Sequence, residues 1–189
     1  METKLELRKR ILNIRNNMPK DEAEKKSNII INKLTTLNEY EDSKLVFVYM
    51  SFGNEVDTFE LIKRMLKENK RVVIPYTDTK NTVIIPSELK SLEDDLILSK
   101  FGYYEPIYEK IKKVEPEEFD LIVTPGVVFD KNLNRVGFGK GYYDRILLRK
   151  RKDAKAVAVA YEFQVLEDVP AEAHDIKMDM IITEENIYK

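Results

Sequence analysis

Five short apolar runs limit what this chain can fold into. Leu45–Met50, Arg71–Pro75, Leu121–Thr124, Ala156–Tyr161 and Met180–Thr183 each read as a strand buried on both faces. Such strands belong to mostly parallel sheets covered on both sides by helices, and helix-period segments lie between these runs. Thr3 with Glu6 is a capping-box pattern ahead of Leu7, Ile11, Ile14 and Met18 at helical spacing, and Lys4, Arg8 and Arg15 line up on another face. Pro19 ends that pattern, and Ala23, Ser27, Ile30, Leu34 and Leu37 outline a second helix. Asp57 with Glu60 can cap a helix carrying Phe59, Ile62, Met65 and Leu66, and Tyr142 to Arg151 reads as another. Strand, helix and strand from 45 to 75 make one right-handed βαβ unit. Val83–Ile85 is a further short strand, while Leu89 to Lys100 reads as helix or irregular chain. The expected class is therefore a three-layer α/β/α fold with a mostly parallel, Rossmann-like sheet, formed by residues 1–189 as a single domain.

Composition narrows the chemistry. The chain has no cysteine and one histidine, which excludes a disulfide scaffold, a thiolate metal site and a cysteine nucleophile. No apolar stretch approaches membrane-spanning length, and the N-terminus opens into charged amphipathic sequence, so a cytoplasmic protein without a membrane role is expected. A formal net charge of −2 argues against a nucleic-acid binder. The charge is nevertheless uneven: between Lys131 and Lys155 nine basic residues face only Asp144 and Asp153. That run fits a solvated helix face or a focused anion site.

The densest chemistry lies between Asp130 and Arg145. It follows a strand and opens a helix, the place where open α/β sheets bind ligands. Gly137, Gly139 and Gly141 let the backbone approach a ligand closely, and Arg135 and Lys140 add positive charge, which suits a phosphate. Two familiar loops fail here. A Walker A loop would need Gly at Asn134 and Ser or Thr at Gly141, and the dinucleotide fingerprint would need Gly at Tyr142.

As a whole, Arg135-Val136-Gly137-Phe138-Gly139-Lys140-Gly141-Tyr142-Tyr143-Asp144-Arg145 resembles the ATP-binding signature of the 5-formyltetrahydrofolate cyclo-ligase family. Thr124-Pro125-Gly126-Val127-Val128-Phe129-Asp130 before it is similar to that family too. So are Lys4-x-x-x-Arg8, Asn54-Glu55-Val56-Asp57-Thr58, Gly102-Tyr103-Tyr104-Glu105-Pro106, and Gln164, Pro170 and His174-Asp175 followed by Asp179. Phe138 departs from the pattern, standing where the family carries Tyr or Arg.

The resemblance implies an ATP- and Mg²⁺-dependent closure of 5-formyltetrahydrofolate, with or without a polyglutamate tail, to 5,10-methenyltetrahydrofolate. It implies nucleotide contacts from Lys4, Arg8, Arg135, Val136, Gly137, Phe138, Gly139, Lys140, Gly141, Tyr142 and Tyr143. Folate contacts are implied from Met50, Glu55, Phe138, Gly139, Lys140, Gly141 and Tyr142. Arg135, Lys140 and Tyr142 take the catalytic roles, Asp144 and Asp175 the Mg²⁺, and the enzyme is expected to act as a monomer. Each residue also has a plain structural reading. Lys4 and Arg8 suit a wet helix face, Asp144 a first-turn acid, Glu55 a loop acid, and Tyr142 and Tyr143 the core; His174 is given no role. A sugar-phosphate isomerase or transferase, and a module that binds folate or nucleotide without turnover, are the rival functions. ATP-dependent stabilisation argues against the first, and turnover against the second.

Overall fold

The computed structural model describes residues 2–172 and 175–189. The chain opens with helices α1 (Lys4–Asn17) and α2 (Lys20–Thr35), then a single turn α3 (Asn38–Glu41) before strand β1 (Leu45–Val48). The capping box is formed: the Thr3 side chain accepts from the Glu6 amide, and the Glu6 carboxylate accepts from the Thr3 amide at 2.8 Å. There follow α4 (Phe59–Lys67), β2 (Arg71–Asp78), β3 (Val83–Leu89), β4 (Leu96–Leu98) and β5 (Tyr104–Pro106). The second half comprises β6 (Leu121–Thr124), β7 (Val128–Asp130), β8 (Arg135–Val136), α5 (Tyr142–Leu148), β9 (Lys155–Val159), β10 (Val165–Leu166), β11 (Met180–Ile182) and β12 (Ile187–Tyr188).

All five apolar runs are strands of one seven-stranded sheet, ordered β12-β11-β9-β6-β1-β2-β3. The central five, β11 to β2, are parallel, and the edges β12 and β3 are antiparallel. Alternation along each strand splits the core. Val46, Val48, Val72, Ile74, Val123 and Val157 share one cluster with Ile30 and Leu34 of α2 and Leu61, Ile62 and Met65 of α4. Phe47, Val73, Ile122 and Ala158 face the other way, with Ile146 and Leu147 of α5 and with Phe119 and Phe129. The expected three-layer class is what forms.

The route through the sheet locates the site. From β1 the chain moves outward through α4 to β2, then returns to β6 on the opposite flank of β1 and continues outward to β9 and β11. Strand order therefore reverses between β1 and β6, and the crevice beyond their carboxyl ends is where such sheets take ligands. Tyr49 and Met50 leave β1 there, and Pro125 and Gly126 leave β6. A small sheet, β10-β7-β8, stands beside the crevice, and Leu7 and Ile11 of α1 pack on it against Val127, Val128 and Val136. That contact brings the first helix to the glycine turn that follows β8.

The middle of the chain differs from the sequence expectation. β2 runs through Pro75 to Asp78, and β3 extends to Leu89. Pro75 lies opposite Pro86 in the register; neither has an amide hydrogen, so the pair occupies a rung that needs none. Residues 89–100 form no helix: Leu89 closes β3, and a turn then leads to β4, which pairs with β5 as a hairpin. Helix α5 stops at Leu148 rather than Arg151. Beyond it Lys150 donates to the Ala154 carbonyl at 2.9 Å and Arg151 reaches Asp120 at 2.8 Å, turning the chain into β9. At α4 the N-cap residue is Thr58, yet Asp57 Oδ1 still accepts from the Phe59 amide at 2.8 Å, while Glu60 pairs with Lys63.

The bend after β6 leaves no room for a side chain. A Cβ added at Gly126 would lie 2.3 Å from the tip of the fully buried Phe129 ring. Gly126→Ala is therefore expected to lower unfolding stability by about 1–3 kcal/mol through overpacking, measured as a fall in the urea midpoint; an unchanged midpoint would mean that the ring has space to move.

Candidate active site

Two adjoining chambers occupy the crevice between β1 and β6. The first is bounded by Lys4 and Arg8 of α1, the whole turn from Arg135 to Tyr143, and the carboxylates of Asp144 and Asp175. Every residue expected to touch nucleotide thus lines one space. The second chamber holds Met50, Glu55, Phe138, Lys140 and Tyr142 from the expected folate set. Gly139 and Gly141, also in that set, line only the first. Pro125, Phe138, Lys140, Tyr142 and Tyr143 border both chambers, so the junction is made of these five.

The shape of the glycine turn follows from its residues. Gly139 and Gly141 have φ of 94° and 66°, in the left-handed region that side chains disfavour. Gly137 is needed for another reason: an added Cβ would come within 2.8 Å of the Arg135 guanidinium. Among the described residues the amides of Gly137, Gly139 and Gly141 donate to no other group. Helix α5 begins directly after, at Tyr142, but has only seven residues, so these free amides and the nearby cations dominate the local field.

The cations are held in different ways. Arg8 Nε donates to the Gly137 carbonyl at 2.6 Å, which ties α1 to the turn. Arg135 is buried, donating to the Pro125 carbonyl at 3.2 Å and to Asp144 Oδ1 at 2.6 Å. Lys4 Nζ contacts Asp175 at 2.7 Å and Glu172 at 3.1 Å. Burial works against the Lys4 ammonium, but these carboxylates more than offset it and raise its pKa. Lys140 is exposed, and among the described residues no carboxylate pairs with it. It is the free cation of the junction among those residues.

Most of the charge excess between Lys131 and Lys155 disappears on folding. Arg149 pairs with Glu115 and Glu117, Arg151 with Asp120 and Asp153, Lys150 with Asp179, and Lys131 with Glu167. Arg135 and Lys140 are the two that face the chambers.

Asp144 and Asp175 lie in the same chamber, and both oxygens are hard donors. Such a set suits Mg²⁺, which takes one or two carboxylates and completes its shell with phosphate oxygens and water. Among the described residues no cluster of three or more potential ligand side chains could hold a metal unaided, so phosphate would have to supply part of the shell. His174 lies outside the described residues.

The second chamber is mainly aromatic and aliphatic, with Glu55 the one carboxylate in its described lining. The loop carrying Glu55 is stitched to itself. Thr58 Oγ1 donates to the Tyr49 carbonyl at 2.7 Å, Tyr49 Oη donates to the Val56 carbonyl at 2.7 Å, and the Tyr161 hydroxyl reaches the Glu55 carbonyl at 3.2 Å. Asn54 fastens the loop to the end of α1 by donating to the carbonyls of Arg15 and Met18 at 2.9 and 2.7 Å. Glu55 is only 7 % exposed. Burial pushes its carboxyl up to about 7, against the nearby Arg15 and the Phe52 amide, which pull it down.

That displacement has a stability signature. A carboxyl raised in the folded state favours folding below its ordinary value of 4.5, and this contribution is lost as pH rises through about 7. Glu55→Gln removes the dependence. Its stability relative to the parent should therefore improve between pH 4.5 and pH 7, by on the order of 3 kcal/mol at about 1.4 kcal/mol per pH unit. Urea unfolding across that range measures it, and parallel curves for the two proteins would refute the raised value.

Sequence reasoning missed much of this chamber's wall. Tyr49, Phe52, Thr77, Ile84, Tyr103 and Tyr104 line it. Tyr103 and Tyr104 come from the β4–β5 hairpin region, and the Phe52 ring leans on Tyr103 with centroids 5.6 Å apart. The Gly102-Tyr103-Tyr104-Glu105-Pro106 segment stands out in the sequence, but nothing in its spacing shows which surface it covers. Phe138 is exposed at the junction, with the Arg15 guanidinium carbon 5.8 Å from its ring centre.

The 5-formyltetrahydrofolate cyclo-ligase family model matches residues 1–184. Among curated relatives, the 5-formyltetrahydrofolate cyclo-ligase of Mus musculus is 30% identical, the alignment covering 88% of this chain and 86% of the mouse protein. That of Haemophilus influenzae is 30% identical over 92% and 93% of the two chains. A solved structure of 5,10-methenyltetrahydrofolate synthetase from Aquifex aeolicus is similar with a TM-score of 0.86 and 38% identity, covering 98% of this chain and 92% of that one. One from Mycoplasma pneumoniae has a TM-score of 0.79 and 28% identity, covering 97% and 99%.

Proposed function

The chain belongs to the 5-formyltetrahydrofolate cyclo-ligase family, and from that premise we propose that it uses ATP and Mg²⁺ to close 5-formyltetrahydrofolate to 5,10-methenyltetrahydrofolate. One observation carries the proposal: an anion-binding chamber and an aromatic chamber meet at Phe138, Lys140 and Tyr142. That junction suits a reaction in which a folate and a nucleotide must touch.

The polyphosphate lies in the first chamber, against Lys4, Arg8, Arg135 and the amides of the glycine turn. Asp144 and Asp175 would hold Mg²⁺ there, which neutralises phosphate charge when bound. The pterin enters the second chamber beside Met50, and Glu55 accepts hydrogen bonds from its ring N–H groups. The formyl oxygen then points through the junction. It attacks the γ-phosphorus as the bond to the bridging oxygen of ADP breaks, leaving an iminium phosphate. N10 attacks the formyl carbon, N10 loses its proton, and phosphate departs with the formyl oxygen.

No side-chain nucleophile is needed, which agrees with a chain lacking cysteine. Positioning and charge neutralisation supply the rate. Lys140 is placed to meet charge on the transferring phosphoryl group, and Tyr142 and Tyr143 wall the junction. Burial raises the Tyr143 phenol, so it stays a neutral donor. Both chambers come from one chain, so a monomer suffices. No helix among the described residues is long and apolar enough to cross a membrane.

Purified protein with 5-formyltetrahydrofolate, ATP and Mg²⁺ should form the methenyl product, followed by its near-ultraviolet absorbance, with one ADP per turnover and none when ATP is omitted. A folded protein that binds both ligands without turnover would support a sequestering module instead.

A further inference from the structure

Helix α1 lines the first chamber and runs on to residues that line the second. Lys4 and Arg8 stand at the phosphate end, and Arg15, eleven residues after Lys4 on the same face, stands at the other. Arg15 is 5 % exposed, an uncommon burial for arginine. Its guanidinium touches three segments that frame the site. Nη2 lies 3.8 Å from Glu55 Oε1, Nη1 lies 3.4 Å from the Gly126 carbonyl after β6, and the group faces the Phe138 ring of the glycine turn. Its Nε is buried with no hydrogen-bond partner. An arrangement that leaves a buried donor unmet needs a reason, and none of these contacts is a short ion pair that would stabilise the fold strongly.

We infer that Arg15 is a positioning residue for Glu55: its guanidinium draws that carboxylate towards the charged form and aims it into the folate chamber without touching either substrate. The inference rests on the folate role proposed for Glu55. Arg15 does not line the second chamber, whereas Glu55 does. The other titratable groups around Glu55 give it no positive charge. Tyr49, just after β1, and Tyr143 of α5 face it as neutral phenols, both held protonated by burial, and Tyr161 contacts its backbone carbonyl. Lys140 lines the same chamber from the glycine turn but is exposed. Arg15 is thus the buried cation facing Glu55 among the described residues. Without it the carboxyl would hold its proton to a higher pH and become a weaker acceptor for ring N–H groups.

The test is the pH profile of KM for 5-formyltetrahydrofolate, with KM for ATP as internal reference, in the parent, Arg15→Met, Arg15→Lys and Glu55→Gln. The parent should show an inflection near the titration of Glu55, absent in Glu55→Gln. Arg15→Met should move it upward by about one pH unit or more and raise folate KM at pH 7 about fivefold or more, with ATP KM within about twofold; Arg15→Lys should restore most of both. Carboxyl-carbon NMR of Glu55 in the ligand-free variants should show the same upward movement. An unmoved inflection, or equal losses for folate and ATP, would overturn the role of Arg15. Where Arg15→Met does not fold, the double variant Arg15→Met/Glu55→Gln, which leaves no uncompensated charge, decides the matter. It should match Glu55→Gln in folate KM, and a further large rise would count against the inference. If Glu55→Gln itself leaves folate KM unchanged, the folate role of Glu55 fails instead.

Discussion

Replacing Lys140 with methionine should lower kcat by about 10²–10³-fold, the usual loss when one preorganised donor to a developing charge is removed. The residue borders both chambers, and among the described residues no carboxylate shares its charge. Its ammonium is therefore available to a phosphoryl group moving from one chamber to the other. The fold should not suffer. The side chain is exposed, and among the described residues the one hydrogen bond made at this position, from Arg145 Nη1 at 3.2 Å, goes to the backbone carbonyl. A thermal midpoint close to the parent's, with both substrates still bound, would assign the loss to chemistry. A kcat within about threefold of the parent would remove Lys140 from the reaction.

Arg135→Lys should be the second severe change, despite conserving charge. The guanidinium reaches the Pro125 carbonyl with one nitrogen and Asp144 with another, and Gly137 lacks a Cβ that would otherwise come within 2.8 Å of it. A lysine ammonium cannot span both partners in that planar fork. The expected outcome is a fall of about 10²-fold in kcat/KM for ATP, with a loss of about 1–3 kcal/mol in stability from the broken charged hydrogen bond. Because Asp144 is also a proposed Mg²⁺ ligand, the Mg²⁺ concentration needed for half-maximal rate should rise as the carboxylate loses its anchor. Steady-state kinetics at varied ATP and Mg²⁺, with urea unfolding alongside, measures both parts. Unchanged ATP kinetics would show that the Arg135–Asp144 pair serves the fold alone.

The parallel core was legible because its strands are buried on both faces, and unbroken apolar runs such as Leu121–Thr124 report that directly. The lining of the first chamber was legible because most of its residues lie in one contiguous turn, which sequence order keeps together. The lining of the second chamber was not. Its far wall includes Thr77 and Ile84 from a hairpin whose strands meet at Pro75 and Pro86, and prolines read as strand ends. The β4–β5 hairpin was hidden for another reason. Ile97 and Leu98 are exposed, so β4 has no buried face to impose a period of two on its sequence. Arg15 was visible on the face shared with Lys4 and Arg8, yet spacing along a helix could not say that it meets Glu55 across the fold.

Oxygen transfer tests the central claim, that the junction brings the formyl oxygen onto phosphorus. 5-Formyltetrahydrofolate carrying oxygen-18 in its formyl group, turned over with ATP and Mg²⁺, should release inorganic phosphate with one labelled oxygen per methenyl product. Label recovered in water, with unlabelled phosphate, would mean that the formyl oxygen never bonds to the γ-phosphorus and would contradict direct contact between the substrates at Lys140 and Tyr142.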